Sequence, residues 1–280
     1  MSKKRVWTEC GATAALFLML STPLALAVDD TPYPGPARSI GGAANGCLAG
    51  ARSLPLSGPG WETLRPARNR FWGNPALVAF IEDMAGKTRA LGLGTLQIGD
   101  LAQPRGGHMT SGHGSHQTGV DVDILYHMID GPLSDADRAN PAQDSAVRPD
   151  DSLNPARWGD PQTALVKAFA SDALVERIFV NAAIKRSLCD SVVGDRAWLR
   201  KVRPWWGHDE HFHIRINCPA GDTECIPGPA VPQGDGCGAA LDWWFSDEAK
   251  HPAAKPGPKP PPPDKPAACR AILGQVGSAP

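Results

Sequence analysis

Apolar residues recur along this chain with two periods, and each period marks a different kind of element. Over residues 76–91, Leu77, Val78, Phe80, Ile81, Met84 and Ala85 fall on one stripe at helical spacing, which predicts an amphipathic helix. Residues 162–170 read as a second helix, and 182–188 and 196–201 as shorter ones. Period-two alternation marks strands instead. Val120, Val122 and Ile124 alternate with Asp121 and Asp123, and Phe212, Ile214 and Ile216 alternate with His211, His213 and Arg215. Successive side chains of a strand face opposite ways, so each segment buries an apolar face and turns its carboxylates or imidazoles the other way. Residues 93–98 and 178–181 read as further strands. Helices bracketing a small central antiparallel sheet, with long loops between them, make an α+β fold.

The polar faces of those two strands carry the candidate chemistry. Five of the eight histidines fall in two short clusters, His113-Gly-Ser-His116 leading into the first strand and His208-Asp-Glu-His211-Phe-His213 leading into the second. A catalytic zinc takes three protein ligands and keeps a fourth position open. His116 from the loop, Asp123 from the first strand and His213 from the second satisfy that count. Such a metal makes water a nucleophile at neutral pH and polarises the carbonyl under attack. His211 lies two residues before His213 on the same face, beside the metal without having to bind it, and an imidazole there suits general base and acid work. His208 is a second catalytic candidate, for stabilising the oxyanion, and His113 is either a further ligand or a residue that orients one. The helical His-Glu-x-x-His motif is absent, and Gly114 and Ser115 argue against a helix at the first cluster.

The ends of the chain and its cysteines add a compartment. Lys3-Lys-Arg5, an apolar run from Ala12 to Leu20 and Ala25-Leu-Ala27 read as a cleavable secretory signal peptide over residues 1–27. No later run approaches the roughly 20 apolar residues that span a bilayer. Removing the leader leaves six cysteines, an even number that suggests disulfides in an exported protein, with 15 possible pairings. Cys218 and Cys225 are close enough to pair locally, whereas cysteine-bound zinc is disfavoured because no Cys-x-x-Cys exists. Lys and Arg number 28 against 29 Asp and Glu, so no basic footprint for nucleic acid is present. Residues 28–250 read as one domain and 251–280 as a proline-rich tail whose Lys255–Pro266 tract is an extended spacer before Cys269. Trp205, Trp206, Trp243 and Trp244 suit either substrate stacking or packing, and Arg105 either a substrate carboxylate or a surface turn.

The pattern His-x-x-Gly-x-Asp-x-Asp at 116–123 with His-x-His at 211–213 resembles the zinc-binding pattern shared by lysostaphin-type and D-Ala-D-Ala-type peptidases and hedgehog domains. The wider context, Ser111-Gly-His-Gly-Ser-His-Gln-Thr-Gly-Val-Asp-Val-Asp-Ile124, Lys201-Val-Arg-Pro-Trp-Trp-Gly-His208, Ile178-Phe-Val-Asn-Ala-Ala-Ile-Lys185 and Gly234-Asp-Gly-Cys-Gly238, is similar to the penicillin-insensitive murein endopeptidases of Gram-negative bacteria. That resemblance implies a periplasmic zinc endopeptidase that opens D-alanyl–meso-diaminopimelate cross-links between murein stem peptides without an acyl-enzyme. It implies His116, Asp123 and His213 as zinc ligands, His113, His208 and His211 as further active-site histidines, and disulfides Cys47–Cys269 and Cys189–Cys237. Some members carry a second metal on an Asp and a His after the first strand, where this chain has Asp150 and Asp151 but no histidine beyond His127. The same ligands would serve a D-Ala-D-Ala carboxypeptidase or dipeptidase, or a non-catalytic zinc-stabilised murein-binding module. The His208/His211 pair favours catalysis.

Overall fold

The two alternating segments lie side by side at the centre of one sheet. The structure, a computed structural model, describes residues 30–142, 144–252 and 263–274; the expected leader peptide and the centre of the proline tract fall outside them. Seven strands form the sheet: β1 (Ser57–Gly58), β2 (Trp61–Thr63), β3 (Leu96–Ile98), β4 (Asp121–Leu125), β5 (Val175–Val180), β6 (Val202–Pro204) and β7 (His211–Ile216). Their spatial order is β6-β5-β7-β4-β3-β2-β1. The expected antiparallel sheet holds for β5, β7, β4 and β3, but β2/β3 and β5/β6 are parallel, so the sheet is mixed. The reason is connectivity. A parallel pair needs a crossover, and the helices α1 (Pro75–Ala90) and α3 (Ala182–Ser191) lie between the members of those two pairs.

The apolar faces of β4 and β7 make the core. Val122, Ile124, Phe212 and Ile214 are fully buried, and α1 and α2 (Asp160–Ala170) cover them. Phe169 of α2 meets Phe80 of α1 at 5.9 Å and Phe212 of β7 at 5.4 Å between ring centroids. Helix α1 begins where its chemistry dictates: Asn74 accepts a hydrogen bond from the Ala76 amide, and Pro75 takes the first turn, where its missing N–H costs nothing. Asn181 caps α3 in the same way.

A second layer supports the loop ahead of β4. A hairpin of Arg38–Gly42 and Asn45–Ala49 packs through Ile40, Cys47 and Ala49 against Cys269 and Ile272 of the C-terminal helix Ala267–Ile272. Its sequence, rich in Gly and Ala, carries too few large apolar residues for alternation to mark it as strands. The three disulfides are Cys47–Cys269, Cys189–Cys237 and Cys218–Cys225. Cys47–Cys269 joins positions 222 residues apart. Closing so long a loop restricts the unfolded chain strongly, so Cys47→Ser with Cys269→Ser is expected to cost about 2–5 kcal/mol. Thermal melts of the double variant against the parent check this. Among the described residues no helix is long and apolar enough to cross a membrane.

Arg105 belongs to this layer and not to the metal cleft. Its Nε donates to Thr31 O at 2.9 Å and its Nη1 to Ile272 O at 3.1 Å, while the guanidinium lies 5.6 Å from the Tyr33 ring centre. It ties the two ends of the described chain together.

Candidate metal centre

Register decides which side chains meet. On the β4/β7 pair His213 lies directly opposite Asp123, and Arg215 opposite Asp121. Same-face residues on facing strands have Cβ atoms about 5 Å apart, so a strand carrying Asp-x-Asp beside one carrying His-x-Arg makes two adjacent polar pairs. His116 completes the group from the loop. It is fully buried and holds a left-handed backbone conformation, φ 62°, which a non-glycine residue adopts at a cost. Its amide points at Asp121 Oδ2, 3.3 Å away. Gln117 locks the loop to the hairpin: its amide donates to Ala43 O at 3.1 Å, its Nε2 to Ala44 O at 2.8 Å, and its Oε1 accepts from Lys265.

Three nitrogen and oxygen atoms then converge. His116 Nε2 and His213 Nδ1 are 3.2 Å apart, and each lies close to Asp123 Oδ1, at 3.4 and 3.3 Å. Ligands bound at about 2.0–2.1 Å around a tetrahedral ion have edges of about 3.3–3.4 Å between them. The triangle therefore has the size a zinc ion needs. Asp123 Oδ1 is also buried with no hydrogen-bond partner, a deficit that a cation would remove. His113, His116 and Asp123 make a second, overlapping group with ligand atoms within 4.8 Å of one another. His113 leans outward, however, with Nε2 on Asp100 Oδ2 at 3.0 Å and Nδ1 3.6 Å from Asp123 Oδ2. Asp150 and Asp151 join no such cluster among the described residues: the first accepts from Ser152 and the second pairs with Lys250.

The electrostatics ask for positive charge. Burial by itself would raise the Asp121 and Asp123 pKa values, but Arg215 and the histidines outweigh it and hold both well below the usual carboxylate range. Burial would likewise lower that of His213, yet its hydrogen bond to Asp121 and the adjacent Asp123 carboxylate reverse the effect and raise it to about 9. Asp121, read from the sequence only as sharing a face with Asp123, orients the site. It accepts from His213 Nε2 at 2.8 Å and Arg215 Nε at 2.7 Å, which leaves His213 Nδ1 turned to the triangle. A carboxylate behind a ligating imidazole fixes its tautomer and raises its basicity. Asp121→Asn is expected to lower metal affinity about 10–100-fold with the fold retained, measured by competition with a chromophoric chelator.

His211 and His208 sit beside the triangle. His211 is partly exposed, its Nε2 3.7 Å from Asp123 Oδ1. His208, also at positive φ, lies tilted 5.2 Å from His211 and edge-on 5.9 Å from His213 between ring centroids. Its Nδ1 lies 2.8 Å from Trp206 O, and because a carbonyl only accepts, Nδ1 carries the proton. Burial, then repulsion from His213 and His211, lowers its pKa to about 4. With Nδ1–H held on Trp206 O, Nε2 is the His208 ring atom left free to meet a ligand.

A cleft opens over this group, lined by Arg65, Arg68, Asp100, His113, Glu210 and His211 among others. Sequence reasoning missed Arg65, Arg68 and Asp100, which lie outside both histidine clusters, and passed over Glu210, which sits within the second cluster but ahead of its alternating strand. Burial opposes the charge on Asp100, yet hydrogen bonds from His113 and Arg70 hold its pKa at about 2. Of the tryptophans singled out in the sequence, Trp205, Trp206 and Trp243 are 47, 47 and 41 % exposed, unlike the core residues Trp61, Trp158 and Trp198.

A family model described as penicillin-insensitive murein endopeptidase matches residues 39–274, which hold every residue of this site. Curated proteins of that name from Salmonella heidelberg (strain SL476) and Klebsiella pneumoniae subsp. pneumoniae are 44 % and 43 % identical to the chain. Each match runs over 245 residues, 87 % of this chain and 89 % of the relative.

Proposed function

Because this chain belongs to the penicillin-insensitive murein endopeptidase family, we propose that it is an exported, periplasmic zinc endopeptidase that hydrolyses D-alanyl–meso-diaminopimelate cross-links of murein. One observation carries the metal reading. Donor atoms from a loop and two strands form a triangle with edges of 3.2, 3.3 and 3.4 Å, around an aspartate oxygen that has no other partner. His116, Asp123 and His213 would hold the ion, and His113 would orient Asp123 from its anchor on Asp100. A zinc ion there supplies Lewis acidity, making water a nucleophile at neutral pH and polarising the scissile carbonyl.

The remaining steps belong to side chains. His211, at the cleft wall, takes the proton of the attacking water at Nε2 and returns it to the departing amine. His208 keeps its Nδ1 proton on Trp206 O and presents an acceptor nitrogen, so it orients by accepting a hydrogen bond. Asp121 holds the His213 Nε2 proton, so that Nδ1 is the nitrogen that would give up its proton to the ion. No nucleophilic serine is required, so no acyl-enzyme forms. Export agrees with the three disulfides, which persist in oxidising compartments.

Incubating defined cross-linked muropeptide dimers with the protein and weighing the products by mass spectrometry tests this reading. Conversion of dimers to monomers is expected. Release of a terminal D-alanine alone would assign a carboxypeptidase, and intact dimers beside stoichiometrically bound zinc would assign a binding module.

A further inference from the structure

Beside the metal triangle, the cleft carries a set of arginines that the hydrolytic machinery does not use. Arg65, Arg68 and Arg70 follow one another on the segment after β2, and they are differently employed. Arg70 is buried and fully committed, with Nη1 on Asp100 Oδ2 at 2.9 Å and Nη2 on Ser111 Oγ at 3.0 Å. Arg68 is half-committed: Nη1 lies 3.2 Å from the same Asp100 oxygen, and the residue is partly exposed and lines the cleft. Arg65 lines the cleft too, and among the described residues its guanidinium makes no hydrogen bond or ion pair. Burial and the nearby Arg68 charge lower its pKa, against the favourable charges of Asp100, Glu210 and Asp123, none of which it pairs with directly. A half-buried guanidinium with five donors and no acceptor is costly unless something fills them.

The backbone holds Arg65 there at further cost. It adopts φ 50° and ψ 53°, the left-handed region, although it is neither glycine nor asparagine. Among the described residues five non-glycine positions have positive φ; Arg65 lines the cleft, and two others, His116 and His208, belong to the histidine group beneath and beside it. The conformation is enforced from both sides: the Arg65 amide donates to Arg138 O at 2.8 Å and the Leu64 amide to Ile98 O at 2.8 Å, and Pro66 fixes the turn that follows. Strain that the surroundings over-determine collects where a side chain must be aimed.

We propose that Arg65, assisted by Arg68, is a carboxylate-binding subsite that holds a free carboxylate of the substrate next to the scissile amide. The fork of a guanidinium matches a carboxylate in two parallel hydrogen bonds. Asp100, Asp123 and Glu210 in the same cleft repel a dianionic phosphate more strongly than a carboxylate, so a singly charged ligand is the better fit. This rests on the function proposed above, in which the departing amine belongs to diaminopimelate. The carbon bearing that amine also bears a free carboxylate, so the group to be recognised lies two bonds from the nitrogen that leaves.

Two synthetic cross-linked dimers, identical except that this carboxylate is free in one and a primary amide in the other, test the subsite. Wild-type protein is expected to cleave the acid with kcat/KM about tenfold or more above the amide, a charge-assisted pair's worth of discrimination. In Arg65→Met that advantage collapses towards unity while one equivalent of metal is retained; Arg65→Lys, which keeps the charge but not the fork, retains part of it. Equal cleavage of acid and amide by the wild type, or an undiminished preference in Arg65→Met, overturns the subsite and leaves the proposed function standing. Failure of the wild type to cut either dimer overturns both. Should Arg65→Met lose metal or fold, Arg68→Gln, on the exposed side of the pair, must reduce the preference for the subsite to stand.

Discussion

Asp123→Ala is expected to lose metal and turnover together, with bound zinc falling from one equivalent to near none and cleavage dropping at least ~10³-fold. The magnitude follows from what a Lewis acid supplies, several kcal/mol of charge stabilisation in the transition state, at 1.36 kcal/mol per tenfold. The reason for choosing this residue is geometric. Asp123 Oδ1 is the vertex that both other donor atoms share, at 3.4 Å from His116 Nε2 and 3.3 Å from His213 Nδ1. Without it two neutral imidazoles remain, and the carboxylate that offsets the ion's charge is gone. The fold should survive, because Asp123 Oδ1 has no hydrogen-bond partner to lose, and its backbone bonds to Gly99 and Asp100 stay. Elemental analysis of the purified variant beside its rate on cross-linked dimers reads both quantities. Full activity in metal-free Asp123→Ala would remove Asp123 from the ligand set.

His211→Ala is expected to separate what Asp123→Ala couples: one equivalent of metal retained, turnover reduced about 10²–10⁴-fold, the range of general acid–base catalysis. His211 and His213 leave the same face of β7 two residues apart, yet their surroundings differ. His213 is buried, with one ring nitrogen on Asp121 and the other at the triangle. His211 is partly exposed, stands 3.7 Å from Asp123, and reaches the cleft, and among the described residues it has no carboxylate within hydrogen-bond distance. A ligand is held from two sides, whereas a proton carrier has to face solvent and substrate. The contrasting variant, His213→Ala, should behave like Asp123→Ala. Loss of zinc from His211→Ala would make it a ligand instead.

The central strands and helices were legible in the sequence because their apolar faces are large and regular. The stripe Leu77 to Ala85 became α1 within one residue of the predicted ends, and the alternation around Asp121 and His213 became β4 and β7. Register was not legible. Periodicity puts Asp123 and His213 on polar faces of their strands but does not say that they stand opposite each other, nor that Asp121 lies behind His213. The parallel edges of the sheet followed from helical crossovers, whose partners no local pattern names. The hairpin under the His116 loop was invisible because glycine and alanine dominate it, and its shape depends on Gln117 and on a disulfide closed from the far end of the chain. Arg65 carries no signal at all. Its meaning comes from a strained backbone and a cleft assembled by segments distant in sequence.

The most direct measurement is a titration of metal-depleted protein with zinc, following bound metal and cleavage of cross-linked dimers in the same samples. One site formed by His116, Asp123 and His213 predicts negligible cleavage without metal and a linear rise that saturates at one equivalent. Cleavage by the metal-depleted protein as fast as by the loaded one, or zinc bound at one equivalent with no return of activity, would contradict the account.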